Sequence, residues 1–142
     1  MAAARIFSKS GVAFSLFDQY RNPGGQYWRH QKGEKFPVSG FEETFAFKNA
    51  TWRFEATIWQ IEQISARFDV HSIQNGKLVT ETFDALLIAT GAIERPLPVP
   101  GWTLPGVMTA GALQSLLKGN GVIPGKKIVI AGSGPFLFPV AQ

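Results

Sequence analysis

The chain has 142 residues, 45% of them hydrophobic and 17% charged, and a formal net charge of +4. That composition describes a folded chain of about one domain rather than a disordered one, and its basic residues are too scattered to track a nucleic-acid backbone. The absence of cysteine excludes disulfides, thiolate metal ligands and a redox dithiol and fits a cytoplasmic protein, while no apolar run is long enough to span a membrane.

Residues 2–9, AAARIFSK, read as a helix stopped by Gly11, because alanine favours helix and glycine supplies a left-handed cap. Residues 12–17, VAFSLF, read as a strand with Asp18 at its end. A helix with no strand before it has the order of the second half of a βαβ unit. The Pro-Gly-Gly in 21-RNPGGQYWRH-30 marks a loop, and 41–50 reads as a short helix. Strands follow at 53–62, 67–73 and 78–83, the last two joined by the hairpin turn Asn75-Gly76, as a small antiparallel layer. The nearly all-apolar 84-DALLIAT-90 is expected to be a central parallel strand covered on both faces. Residues 96–106 carry four prolines and read as extended, 109–119 as a helix with Thr109 as N-cap and Gly119 or Gly121 as its stop. The end of the chain, 126-KKIVIAGSGPFLFPVAQ-142, gives a strand, a glycine turn and the start of a helix. Both ends therefore read as cut from a longer chain.

Four places have residues that suit binding a dinucleotide. In 132-GSGP-135, Gly132 and Gly134 match the glycines that make the tight turn and admit a pyrophosphate. The third glycine position holds Leu137, and Pro139 falls in the helix start, so a plain strand–turn is the alternative. Asp18, at a strand end, can accept hydrogen bonds from a ribose diol; an acid in a wet loop is the other reading. Gly24 and Gly25 allow the backbone to lie against a flat ring, with Gln26 or Tyr27 donating to it; a Pro-Gly turn capping the layer is the alternative. In 86-LLIATGAIERPLPVPGW-102, Gly91 would let a strand pass close beneath a cofactor, with the prolines stiffening the way to a second domain; an ordinary strand followed by a turn is the alternative. Glu94 and Arg95 read as a solvated pair, Trp28, Trp52 and Trp59 as packing residues, and Trp102 as an anchor for the linker. His30 and His71 form no metal cluster, and Ser133 lacks the G-x-S-x-G frame of a hydrolase nucleophile.

Together 23-PGGQYWR-29, 88-IATGAIERPLPVPGWTLPGVMTAGALQSLLK-118 and 131-AGSGPFLFPVA-141 make the chain resemble the two-dinucleotide-domain flavoproteins of the disulfide-reductase superfamily. Within that group it is most similar to the FAD/NAD(P)-binding subunits of opine oxidases, hydrogen cyanide synthase and amine or amino-acid dehydrogenases. The resemblance implies an α/β, partial Rossmann-like FAD/NAD(P)-binding fold with a small antiparallel β layer. Residues 1–108 would be the FAD-binding domain without its first strand and glycine loop, and 109–142 the start of an NAD(P)-like domain. It places Asp18 on the adenosine ribose, Gly24, Gly25 and Gln26 near the flavin, and Thr90 and Gly91 beneath it. FAD is the implied cofactor, with NAD(P) at Gly132 and Gly134 the weaker expectation. The implied activity is flavin-mediated oxidation of an amine, opine or amino-acid-like small molecule, and the implied partner is a second oxidase subunit. The alternative is a non-catalytic fragment serving assembly or electron transfer.

Overall fold

The structure, a computed structural model, describes residues 1–29, 47–134 and 137–141. Two units are distinguished: one holds Met1–Trp28 and the described residues up to Gly91, the other holds Arg29 and the residues from Ala92 onward.

The first unit opens with α1 (Ala2–Lys9), which ends as its sequence requires. Gly11 takes φ +70, its N–H donates to Ser8 O and the Val12 N–H to Phe7 O, the paired closing bonds of a Schellman stop. The chain then enters β1 (Phe14–Phe17), shorter than the expected 12–17. Buried Ala4 and the Phe7 ring, 5.7 Å from the Phe14 ring, face the helix inward. After the one-turn α2 (Gly25–Trp28), β2 (Ala50–Arg53) pairs with β1 in parallel, Phe14 opposite Ala50 and Phe17 opposite Arg53. Parallel neighbours need a long crossover between them, so this pair is the α/β signature of the fold. Asn49 locks its start: its backbone carbonyl accepts the Phe14 N–H, and its side-chain amide donates to Val12 O and Phe7 O.

An antiparallel sheet follows, in the order β3 (Ala56–Ile64), β4 (Arg67–Gln74), β5 (Lys77–Phe83). Asn75 and Gly76 turn between β4 and β5 with φ +50 and +73, the type I′ geometry that matches strand twist. Val70 and Ala56 are buried on the inner face together with Ser72, whose hydroxyl accepts from the Gln74 side-chain amide. The other face is mixed: Thr82 donates to Asp69 and His71 is bonded to Thr80, beside exposed Ile64, Ile73 and Leu78.

The second unit contains α3 (Ala110–Asn120) and the five-residue α4 (Leu137–Ala141). Thr109 caps α3 through the Ala112 N–H, and Gly121, at φ +65, rather than Gly119, stops it.

Several expectations are corrected. The segment 53–62 is two strands, because Glu55 takes φ +51 and turns the chain between β2 and β3. The helix expected at 41–50 lies outside the described residues up to 46, and its end is a turn leading into β2. The expected central strand 84–90 pairs with no strand among the described residues, and Leu87 and Ile88 are 59% and 69% exposed. The same holds for 126–131, where Val129 is 94% exposed. Apolar composition marks both segments as strand-forming, but a strand exists only where a neighbour completes its ladder.

Candidate functional site

Asp18 stands one residue beyond β1, at the carboxyl ends of the parallel pair. Its N–H donates to Arg53 O at 2.9 Å and its carbonyl accepts the Ala56 N–H at 3.1 Å, so the backbone here is fixed by β2 and by the start of β3. Its Oδ1 accepts the Tyr20 N–H at 3.0 Å, an Asx-type turn that orients the half-buried carboxylate. In α/β sheets ligands gather outside the carboxyl ends of parallel strands, and an acid there meets a ribose diol. A carboxylate has about four acceptor positions, one of which takes the Tyr20 N–H.

The loop after Asp18 reaches buried Pro23 and then Gly24 and Gly25 at φ +103 and +59. Two successive residues in that region favour glycine on conformational grounds alone, and they set exposed Gln26 into α2. The side chains of Tyr27 and Trp28 lie outside the described residues. Gly91 takes φ +75, and a Cβ built on it would meet no atom within 4 Å. Its backbone therefore favours glycine while its surroundings leave room, and Thr90 beside it is exposed.

Asp18, Gly24, Gly25, Gln26, Thr90 and Gly91 all belong to the first unit, whereas Gly132 and Gly134 belong to the second. At that turn the Leu137 N–H donates to Gly134 O, and Leu137 Cδ2 lies 2.9 Å from where a Cβ of Gly132 would stand. The residue at the third glycine position is thus folded over the first glycine. Among the described residues no group of three His, Cys, Asp or Glu side chains is placed to hold a metal, and no helix is long and apolar enough to cross a membrane.

One supporting pair escaped the sequence reading. Arg53 Nε and Nη2 donate to Glu81 Oε2 and Oε1 at 3.0 and 2.7 Å, joining β2 to β5. The hydrogen bonds from Arg53 hold the Glu81 carboxyl below its ordinary value, against the opposing effect of burial, and Glu81 in turn raises Arg53. The Phe17 and Phe83 rings meet edge-on at 5.9 Å. Asp18 is therefore backed by a β1–β2 pair tied to the antiparallel sheet through both charge and aromatic contact. The only signal in the sequence was an arginine set among aromatics in 52-WRF-54 and a glutamate between two threonines at 81.

Residues 3–136 match the model of the pyridine nucleotide-disulphide oxidoreductase family. An opine oxidase subunit from Agrobacterium tumefaciens is 38% identical, over 100% of this chain and 31% of the relative. Hydrogen cyanide synthase subunit HcnB of Pseudomonas aeruginosa is 36% identical, over 99% of this chain and 32% of the relative. The alpha chain of sarcosine oxidase from Corynebacterium sp. (strain P-1) is 27% identical, over 99% of this chain and 16% of the relative. The chain thus spans about a third of the length of the first two. Among solved structures, L-proline dehydrogenase from P. horikoshii superposes with a TM-score of 0.70 over 86% of this chain and 26% of that one, at 21% identity, a likeness of fold.

Proposed function

Because the chain belongs to the pyridine nucleotide-disulphide oxidoreductase family, we propose that it forms the flavin-binding part of an FAD-dependent oxidoreductase whose substrate is an amine, opine or amino-acid-like small molecule. The observation that supports this reading is Asp18, a carboxylate fixed by backbone bonds at the carboxyl end of a parallel strand pair. Asp18 would accept the adenosine ribose hydroxyls, Gly24, Gly25 and Gln26 would line the flavin, and the backbone at Thr90 and Gly91 would run against it. Bound there, the flavin would supply the electron acceptor for hydride removal from a carbon bearing nitrogen. The protein's part is to orient that group and to exclude a second phosphate from the ribose by the charge of Asp18.

In this reading residues 1–108 belong to the FAD-type domain and 109–142 to a second dinucleotide-type domain. Leu137, folded over Gly132, argues against NAD(P) at that turn, so no step is assigned to Gly132 and Gly134. A second oxidase subunit is the proposed partner, since the similar proteins are themselves named as subunits.

The test is FAD titration by calorimetry in a form extended to the length of the relatives, with and without Asp18→Ala. Losing one charge-assisted bond of roughly 1.5–3 kcal/mol lowers affinity at least about tenfold. Asp18→Asn, which keeps the acceptor for the Tyr20 N–H, separates loss of charge from loss of the turn. Unchanged affinity in both variants rejects the assignment.

A further inference from the structure

The N-terminus of α3 has two caps of different origin. Thr109 Oγ1 accepts the Ala112 N–H at 3.3 Å, as an N-cap does. The adjacent Gly111 N–H instead donates to Glu94 Oε2 at 2.6 Å, from seventeen residues upstream. The first N–H groups of a helix have no partners within it, and a carboxylate meets them with favourable charge. The same carboxylate accounts for the glycine. A Cβ built on Gly111 would stand 2.5 Å from Glu94 Oε2 and 3.1 Å from its Cδ, and its three nearest heavy atoms all belong to Glu94. Gly111 does not have a positive φ, so its backbone gives no other reason for glycine, which is a poorer helix former than alanine.

Between Glu94 and Gly111 lies the proline-rich segment. Its backbone bonds, Val99 N–H to Leu97 O, Trp102 N–H to Val99 O, Leu104 N–H to Gly101 O and Val107 N–H to Leu104 O, are local turns that bind it to itself. We propose that Glu94 is a positioning residue whose carboxylate clasps the N-terminus of α3 and fixes the proline-rich segment onto that helix, and that Gly111 is glycine to admit it. Glu94 and Arg95 are both exposed, as expected, but the Glu94 hydrogen bond goes to the Gly111 N–H. The clasp lies wholly within the second unit and stands independently of the flavin reading.

A reversal of sign tests it. With Glu94 present, Gly111→Ala lowers the urea midpoint of the chain, because the new Cβ displaces the carboxylate. In the Glu94→Ala background the same change raises the midpoint, since helix propensity alone remains, and favours folding by up to about fivefold. Hydrogen exchange reads the bond directly: the Gly111 amide exchanges at least about tenfold faster in Glu94→Ala. Glu94→Gln, which retains an acceptor oxygen, gives an intermediate rate and keeps the test open should the alanine variant unfold. A Gly111→Ala effect of the same sign and size in both backgrounds, or a Gly111 exchange rate indifferent to residue 94, overturns the proposal.

Discussion

Replacing Glu81 with glutamine tests the support beneath Asp18. The variant keeps the size of the side chain and removes the charge from a two-bond contact with Arg53 at 3.0 and 2.7 Å, in which the Glu81 and Arg53 side chains are 22% and 32% exposed. A charge-assisted bond contributes roughly 1.5–3 kcal/mol when well sheltered, whereas fully exposed pairs contribute under about 1 kcal/mol. With each side chain at least two-thirds covered, Glu81→Gln should cost about 1.5–2.5 kcal/mol at pH 7. A double-mutant cycle with Arg53→Met should return a coupling of about 1–2 kcal/mol from urea midpoints. The pH dependence has a definite sign. The hydrogen bonds from Arg53 lower the Glu81 carboxyl in the folded chain, so the unfolded chain takes up that proton first. The contribution is then complete above the ordinary carboxylate range and is lost as pH falls through the depressed folded value. The stability gap between wild type and Glu81→Gln should therefore close as the solution is taken below about pH 4. A gap that is constant from pH 7 to 3, or a coupling below about 0.3 kcal/mol, would refute a stabilising pair. Because Arg53 O also accepts the Asp18 N–H, exchange at the Asp18 amide should quicken in the same variant.

Gly91→Ala should destabilise the first unit by about 1–2 kcal/mol in urea titration, the cost of placing a Cβ at φ +75, although it removes no contact; an unchanged midpoint would show that the backbone does not favour glycine there. Leu87 and Ile88, exposed on an extended segment without a ladder partner among the described residues, should drive self-association, so mass by light scattering should rise with concentration and fall in Ile88→Lys. A concentration-independent monomer mass in the wild type would contradict that expectation.

Local signals were legible and distant ones were not. Gly11, the Asn75-Gly76 turn and the Thr109 cap each act within a few residues, and each does in the structure what its chemistry predicts. The strand at Ala50–Arg53 was missed because it is four residues long and owes its existence to β1, more than thirty positions away. Arg53 at its end meets Glu81 on β5, a partner that its neighbours in sequence do not indicate. The segments 84–90 and 126–131 fail in the opposite direction. Their β-branched, apolar composition records a tendency to be covered, but pairing depends on a neighbour that no local pattern specifies. The Glu94 hydrogen bond was missed for a related reason: its nearest charged neighbour in sequence is Arg95, while its hydrogen bond goes to a helix N–H seventeen residues on.

The candidate site residues do not support the flavin reading equally. Gly24, Gly25 and Gly91 all take positive φ, and that conformation favours glycine whether or not a ring lies against it. Their presence thus fits a cofactor without needing one. Asp18 is different, because its backbone bonds to Arg53 and Ala56 are made equally well by any residue other than proline. Its side chain accepts the Tyr20 N–H, and that turn is served as well by asparagine or serine. The strand end and the Tyr20 turn by themselves thus admit an uncharged residue, and the proposed ribose contact is the part of the reading that uses the charge. A ligand with hydroxyl donors and no extra phosphate is what that charge would select, so the contrast between Asp18→Asn and Gly91→Ala separates binding chemistry from backbone geometry. The first should weaken flavin affinity with little loss of stability, and the second should lower stability even where no flavin is present.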